Sequence, residues 1–241
     1  MAITYDSSAN AGSTSSSSLS YSHTCTGSNL GLVVFVKVYN TSNLVTGVTY
    51  GGVAMTKNTS ASGQDADNRY SYTYTLANPS TGANNVVVSL SSATYVNSTS
   101  QSYAGCNTSS LIDSTGAALN TSSTTVTTTT TTVADNCWLV GSFNGARIYT
   151  PGAGTTQRQT NSSADYIFSF DSNGAKTPAG SHSLAGTQAS SANSRSYIIS
   201  IAPFSAATSH IKSADGILYA NIKSMSGVAI ANVKSTDSVT N

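Results

Sequence analysis

The chain contains no glutamate, and charged residues of both signs make up only 8% of its 241 positions, against roughly a quarter in ordinary soluble domains. A pair of catalytic carboxylates must therefore be found among aspartates alone, as must any acidic metal cage. The ten basic residues are scattered and the formal net charge is +1. A charge-poor surface of this kind has little long-range field, so neither nucleic acid nor an anionic membrane is an expected partner. The three cysteines, Cys25, Cys106 and Cys137, are odd in number and show no CxxC spacing. This argues against a disulfide framework or a zinc site and predicts buried free thiols. No stretch is apolar for long enough to cross a bilayer as a helix. Met1 to Tyr21 has neither the basic start nor the apolar centre of a secretory leader, so synthesis in a cytoplasm without a signal peptide is expected.

Serine and threonine supply the polar surface instead, at roughly a third of the chain. Disorder is the usual reading of such a composition. Disordered segments are poor in aromatic and β-branched residues, however, and here thirteen tyrosines accompany repeated Val/Ile runs, which predicts a folded chain. Helical periodicity is absent. Leu19, Tyr21, His23 and Cys25 alternate with small polar residues, and Gly27 to Gly31 then leads into Leu32 to Tyr39, predicting a first hairpin. Gly51-Gly52 in VTYGGVAMT suits a two-residue hairpin loop. Tyr70, Tyr72, Tyr74 and Leu76 alternate, break at Asn78-Pro79 and resume as Val86, Val88 and Leu90, which reads as an antiparallel pair. The threonine run from Thr124 to Val133 suits an exposed or edge strand. Cys137, Leu139 and Phe143 beside Trp138, then Tyr166 to Phe170, then Tyr197 to Ile201 read as buried strands, while Tyr149 to Asp165 and Ser172 to Gly186 read as long loops. Eight or more short strands with Gly/Asn/Pro turns predict an all-β fold, an antiparallel two-sheet β-sandwich of jelly-roll type, over residues 1–204.

After a linker at 205–210 the sequence repeats itself with a period of 11: IKSADGILYAN from Ile211, IKSMSGVAIAN from Ile222 and VKSTDSVTN from Val233. Asp215-Gly216 and Ser226-Gly227 read as tight turns between short strands. Each unit is too small to bury an apolar face alone, so residues 211–241 are expected to dock on copies of themselves or on neighbouring chains. Ile211, Ile217, Ile222, Val228, Ile230 and Val233 are the expected assembly anchors. A homotrimer is the expected state, because symmetry mates satisfy short strand edges.

Catalytic and metal-binding patterns are sparse. Asp65, Asp67 and Asn68 in GQDADNRY are a weak candidate for Ca²⁺, with a solvated inter-strand loop the commoner meaning of such a segment. His23, His182 and His210 are far apart and lack metal-ligand spacing. No GxSxG elbow is present, and neither PGAGTTQ nor NGAKTP completes a phosphate-binding loop. No cofactor and no catalysis are expected. Aromatic rings can bind sugars by matching the apolar face of a pyranose, and Trp138, Tyr103 and Tyr149 are the candidate platforms, although for Trp138, set in a buried strand, core packing is the favoured role.

The tail motif at Ile211 to Asn241, with VTYGGVAMT and YTYTLANPSTGANNVVVSL at Val48 to Thr56 and Tyr72 to Leu90, resembles structural proteins of tailed bacteriophages that carry concanavalin-like jelly rolls. The resemblance implies a non-enzymatic virion component, for surface decoration, a tail or a fibre, with other virion proteins as partners. Carbohydrate-active relatives of that fold use paired glutamates, which are missing here. A lectin-like attachment module recognising a host-surface glycan is the alternative, and a surface-layer or filament subunit would share the composition.

Overall fold

The computed structural model describes residues 1–67, 69–161, 166–205, 224–225 and 228–229. The chain divides into two compact units, Met1–Ser205 and Ala206–Asn241. The first unit is all-β and antiparallel, built from two hydrogen-bonded sheets, as the alternation predicts.

One sheet holds β1 (Thr4–Cys25), β2 (Gly31–Val38), β3 (Val45–Tyr50), β4 (Val53–Ala54), β5 (Thr56–Gln64), β6 (Tyr70–Ala77) and β7 (Gly82–Ala104). Its two long strands, β1 and β7, pair along most of their length with three shifts of register, the largest where Ser16↔Thr94 gives way to Ser18↔Ser89. Beyond that break β7 changes neighbours, from β2 at Val96 to Tyr103 to β3 at Val86 to Leu90. The sheet folds over there into two layers. Tyr21 and His23, on the far part of β1, reach back to Ser98 at 2.8 Å and to Ser100 and Ser102 at 2.8 and 3.0 Å on the near part of β7. Between the layers lie Val34, Val36, Tyr72 and Tyr74 from one side and Leu19, Val48, Tyr50, Val86 and Val88 from the other.

The second sheet repeats this plan. Strands β8 (Ile112–Thr131), β9 (Trp138–Gly145), β10 (Tyr149–Pro151), β11 (Thr156–Asn161), β12 (Tyr166–Asp171) and β13 (Ser181–Ile201) are connected as β1, β2, β3, β5, β6 and β7 are. Even the register is shared. Gly31 faces Tyr103 and Trp138 faces Ile201, while Val38 faces Val96 and Gly145 faces Ser194. The offsets are thus 107 residues from β2 to β9 and 98 from β7 to β13 at both ends. The break in the long-strand ladder recurs between Thr187 and Ala192, the same 98 residues beyond Ser89 and Thr94. Local chemistry follows the same offsets. Asp6 accepts the backbone N–H of Thr26, and Asp113 that of Val133, each at 2.9 Å. Ser7 meets His23 as Ser114 meets Thr130, and Asn29 and Asn136 both take left-handed φ, 51° and 62°. The unit is therefore a tandem pair of folded-over sandwiches.

The halves pack through the layers containing β2 and β9. This explains why GLVVFVKV and WLVGSFNG are buried at every position: one set of alternate residues fills its own sandwich and the other fills the joint, so neither strand shows a polar face. Val33, Phe35 and Tyr103 meet Trp138, Val140, Ile167, Tyr197 and Ile199 in the joint. A polar rim closes it. Asn10 Nδ2 donates to Gln159 Oε1 at 2.7 Å on one side, and on the other Asn193 Nδ2 donates to Asp67 Oδ1 at 2.7 Å.

Several expectations are corrected by this topology. Leu19 to Cys25 and Leu32 to Tyr39 form no hairpin with each other, because the Gly27 to Gly31 segment carries the chain from one layer to the other: Cys25 faces Gly82, whereas Gly31 faces Tyr103 and Ala77. Tyr70 to Leu76 and Val86 to Leu90 likewise do not pair. They face each other across the core, β6 lying between β2 and β5. The supposed loop from Tyr149 contains β10 and β11, and Ser181 to Gly186 belongs to β13. Other readings agree with the structure. Tyr50 faces Val53 across Gly51-Gly52, whose φ values of 54° and 83° suit the tight loop. Among the described residues β8 pairs only with β13, as an edge strand does, and its Val126, Thr128 and Thr130 turn inward. All three cysteines are free and buried.

In the second unit, β14 (Ser224–Met225) and β15 (Val228–Ala229) pair antiparallel, Met225 facing Val228. Of the expected anchors, Val228 is thereby placed in a strand, while Ile211, Ile217, Ile222, Ile230 and Val233 lie outside the described residues, as do the turn residues.

Candidate functional site

The acids come first, because only aspartate is available for acid/base chemistry. Six aspartates are described, and each holds backbone or a neighbouring side chain. Asp6 binds Thr26 and Ser102. Asp113 accepts from the N–H groups of Val133 and Ala134, and Asp135 from that of Ala179. Asp65 Oδ1 accepts from the N–H groups of Asp67 and Arg69, both at 2.9 Å, closing the turn between β5 and β6, and burial pushes its carboxyl above the ordinary aspartate range. Asp67 accepts from Asn193 and sits 3.4 Å from Arg69. Among the described residues no three His, Cys or acidic side chains cluster as a metal site, and Asn68 lies outside them.

Asp171 is fully buried at the joint. Its Oδ2 receives Arg158 Nε at 2.7 Å and Tyr103 OH at 2.9 Å, while Arg158 also covers the Tyr5 ring at 4.0 Å. Burial and the adjacent carboxylate hold the Tyr103 phenol well above its usual range. This cluster ties the first half, through Tyr5 and Tyr103, to the second. His23 is equally committed to structure: burial lowers it to about 4, so a neutral ring bridges the serines around it.

The rings singled out as sugar platforms are interior. Tyr103 and Trp138 meet edge to face at 5.7 Å in the joint, and Tyr149 stacks on Phe143 at 4.8 Å inside the second sandwich. A buried ring presents no face to a pyranose, so these three pack the core. Periodicity identifies a strand but cannot say which of its faces ends at a surface.

A different aromatic region does reach the surface, at the open side of the first sandwich where β5 leaves β4. Two recesses adjoin there on either side of Lys57, of about 200 and 630 Å³. Asn43, Thr59, Tyr70 and Tyr72 line the smaller, and Val45, Met55 and Tyr74 line part of the larger. The alternation of β6 sends Tyr70, Tyr72 and Tyr74 the same way. Tyr70, half-buried, stacks on buried Tyr72 with centroids 6.0 Å apart and planes 18° apart. Lys57 Nζ lies 4.8 Å from the centre of the Tyr72 ring, and Tyr72 OH donates to Asn43 Oδ1 at 2.8 Å. Burial raises the Tyr72 phenol to about 12, so it remains a donor at all ordinary pH. The alternation of tyrosines in β6 was visible in the sequence; the recess depends on β3, β4 and β5 as well. No protein-family model, no curated protein and no solved structure matches the chain.

Proposed function

We propose that the protein is a non-enzymatic structural component of a phage virion, used for surface decoration or in a tail or fibre, which assembles with copies of itself and other virion proteins through its C-terminal repeats. The observation that supports this reading is the commitment of all six described aspartates to turns, loops and the joint, which leaves a chain without glutamate no described carboxylate poised for general acid/base work. Deleting residues 205–241 is expected to leave a folded body that is monomeric by light scattering, against a trimer for the full chain. An unchanged oligomeric state would remove the assembly role. No reducing sugar is expected on incubation with a panel of polysaccharides.

The second reading, a glycan-binding attachment module, is favoured by the tyrosine- and lysine-lined recesses of the first sandwich rather than by the rings the sequence suggested. Pockets with a stacked aromatic surface and a few convergent polar groups are what sugar recognition requires.

A further inference from the structure

The tandem architecture offers an internal control for deciding which features of the recess serve the fold. Tyr70 and Tyr166 occupy equivalent register positions, facing Val38 and Gly145, so Tyr72 corresponds to Phe168. The stacked pair is retained in the second half: Tyr166 and Phe168 lie 6.0 Å apart with planes 13° apart. Packing therefore needs two rings and does without the hydroxyl. Lys57 follows Thr56, which faces Thr75, and Gln157 follows Thr156, which faces the equivalent Asp171. The second half thus has no cation at this position. The segment carrying Asn43 is also shorter there, since only residues 146–148 separate β9 from β10, against 39–44 between β2 and β3.

The hydroxyl, the ammonium and the amide that distinguish the first half converge on one recess. Asn43 Oδ1 is occupied by Tyr72, which leaves its Nδ2 as a donor. Thr59 is exposed and lines the same recess. Among the described residues no carboxylate lies within ion-pair distance of Lys57, whose contact is the face of Tyr72. A half-buried aromatic ring, a lysine without an anionic partner and two small donors match a pyranose that bears a carboxylate.

We propose that the recess around Lys57, Tyr70, Tyr72 and Asn43 binds an acidic monosaccharide unit of the uronic or sialic acid type, the ring resting on Tyr70, the carboxylate meeting Lys57 and the hydroxyls meeting Asn43 and Thr59. This rests on the glycan-binding reading and supplies its substrate class.

The test titrates the full-length protein, observed by NMR, with the methyl glycosides of glucuronic acid and N-acetylneuraminic acid and with neutral methyl glucoside and methyl galactoside. Two variants install residues that the second half already tolerates, Lys57→Gln and Tyr72→Phe, so folding is expected to survive both. The acidic glycosides should saturate and shift the ring signals of Tyr70 and Tyr72. Lys57→Gln should weaken them about tenfold or more, as loss of a charge-assisted bond does, Tyr72→Phe severalfold, and added salt should weaken them too. Neutral and acidic glycosides binding equally and indifferently to Lys57→Gln would overturn the acidic class while leaving the glycan reading in place. No saturable shift with any of the four would overturn both, and the assembly reading would stand unaffected.

Discussion

The two sandwiches share connections and register yet fill their interiors differently, and the differences separate what the topology requires from what each copy has adapted. Where the first half carries Val34 and Val88, the second has Gly141 and Gly186 at the same offsets. A Cβ on Gly141 would lie 2.5 Å from the Phe170 ring, and one on Gly186 2.4 Å from Tyr149. The second core thus exchanges two valines for close approach of Tyr149 to Phe143 and Phe170. Rings occupy the space that valine side chains would need, as close packing demands. The bonds between layers differ in the same manner: Tyr21 and His23 reach Ser98, Ser100 and Ser102 in the first half, and the shorter Thr128 and Thr130 reach Ser196 and Ser114 in the second.

The largest break in the comparison is expected at the joint. Asp171 corresponds to Thr75, and of the two only Asp171 holds a cation, the half-buried Arg158. Asp171→Ala should cost about 3–5 kcal/mol in denaturant unfolding, because Arg158 and Tyr103 lose their buried acceptor, whereas Thr75→Ala should cost about 1 kcal/mol. Equal costs would mean that Arg158 finds water instead.

His23 gives the first half an acid sensitivity that Thr130 cannot give the second. The folded state holds the ring neutral, with its pKa lowered to about 4 from the model-peptide 6.5. The unfolded chain therefore binds the extra proton first as pH falls. The stabilisation is complete above about pH 6.5 and is lost progressively down to about pH 4, amounting to about 3 kcal/mol. His23→Thr should flatten that part of the stability profile; an unchanged slope would place the acid response elsewhere.

Gly141→Val, which restores the first-half residue, should destabilise by about 1–3 kcal/mol through overpacking against Phe170, measurable as a fall in melting temperature. The smallest effect should be symmetrical. Asn29→Ala and Asn136→Ala each place alanine at left-handed φ and should each cost about 1 kcal/mol; a marked inequality would show that the two loops carry different loads.

Much of this protein was legible in its sequence. Alternation at Tyr70 to Leu76 and Tyr166 to Phe170, the diglycine at Gly51-Gly52 and the absence of helical period determine an all-β antiparallel chain, because side-chain period and turn chemistry are local properties. The short repeat at the C-terminus is visible for the same reason. The longer repeat is not. Asp6-Ser7 and Asp113-Ser114, or Asn29 and Asn136, recur at a constant offset, but in a chain so rich in serine and threonine such matches carry little weight, and the cores have exchanged valines for rings. Partner choice was also beyond it: β1 joins β7 across some eighty residues, and β6 faces β7 through the core instead of bonding to it. Burial of Trp138, Tyr103 and Tyr149, and exposure of the recess at Lys57, follow from which face of each strand meets another layer. Sequence determines which residues share a strand face; only the stacking of layers decides whether that face meets a core, a joint or water, because burial is a property of contacts between segments far apart in the chain.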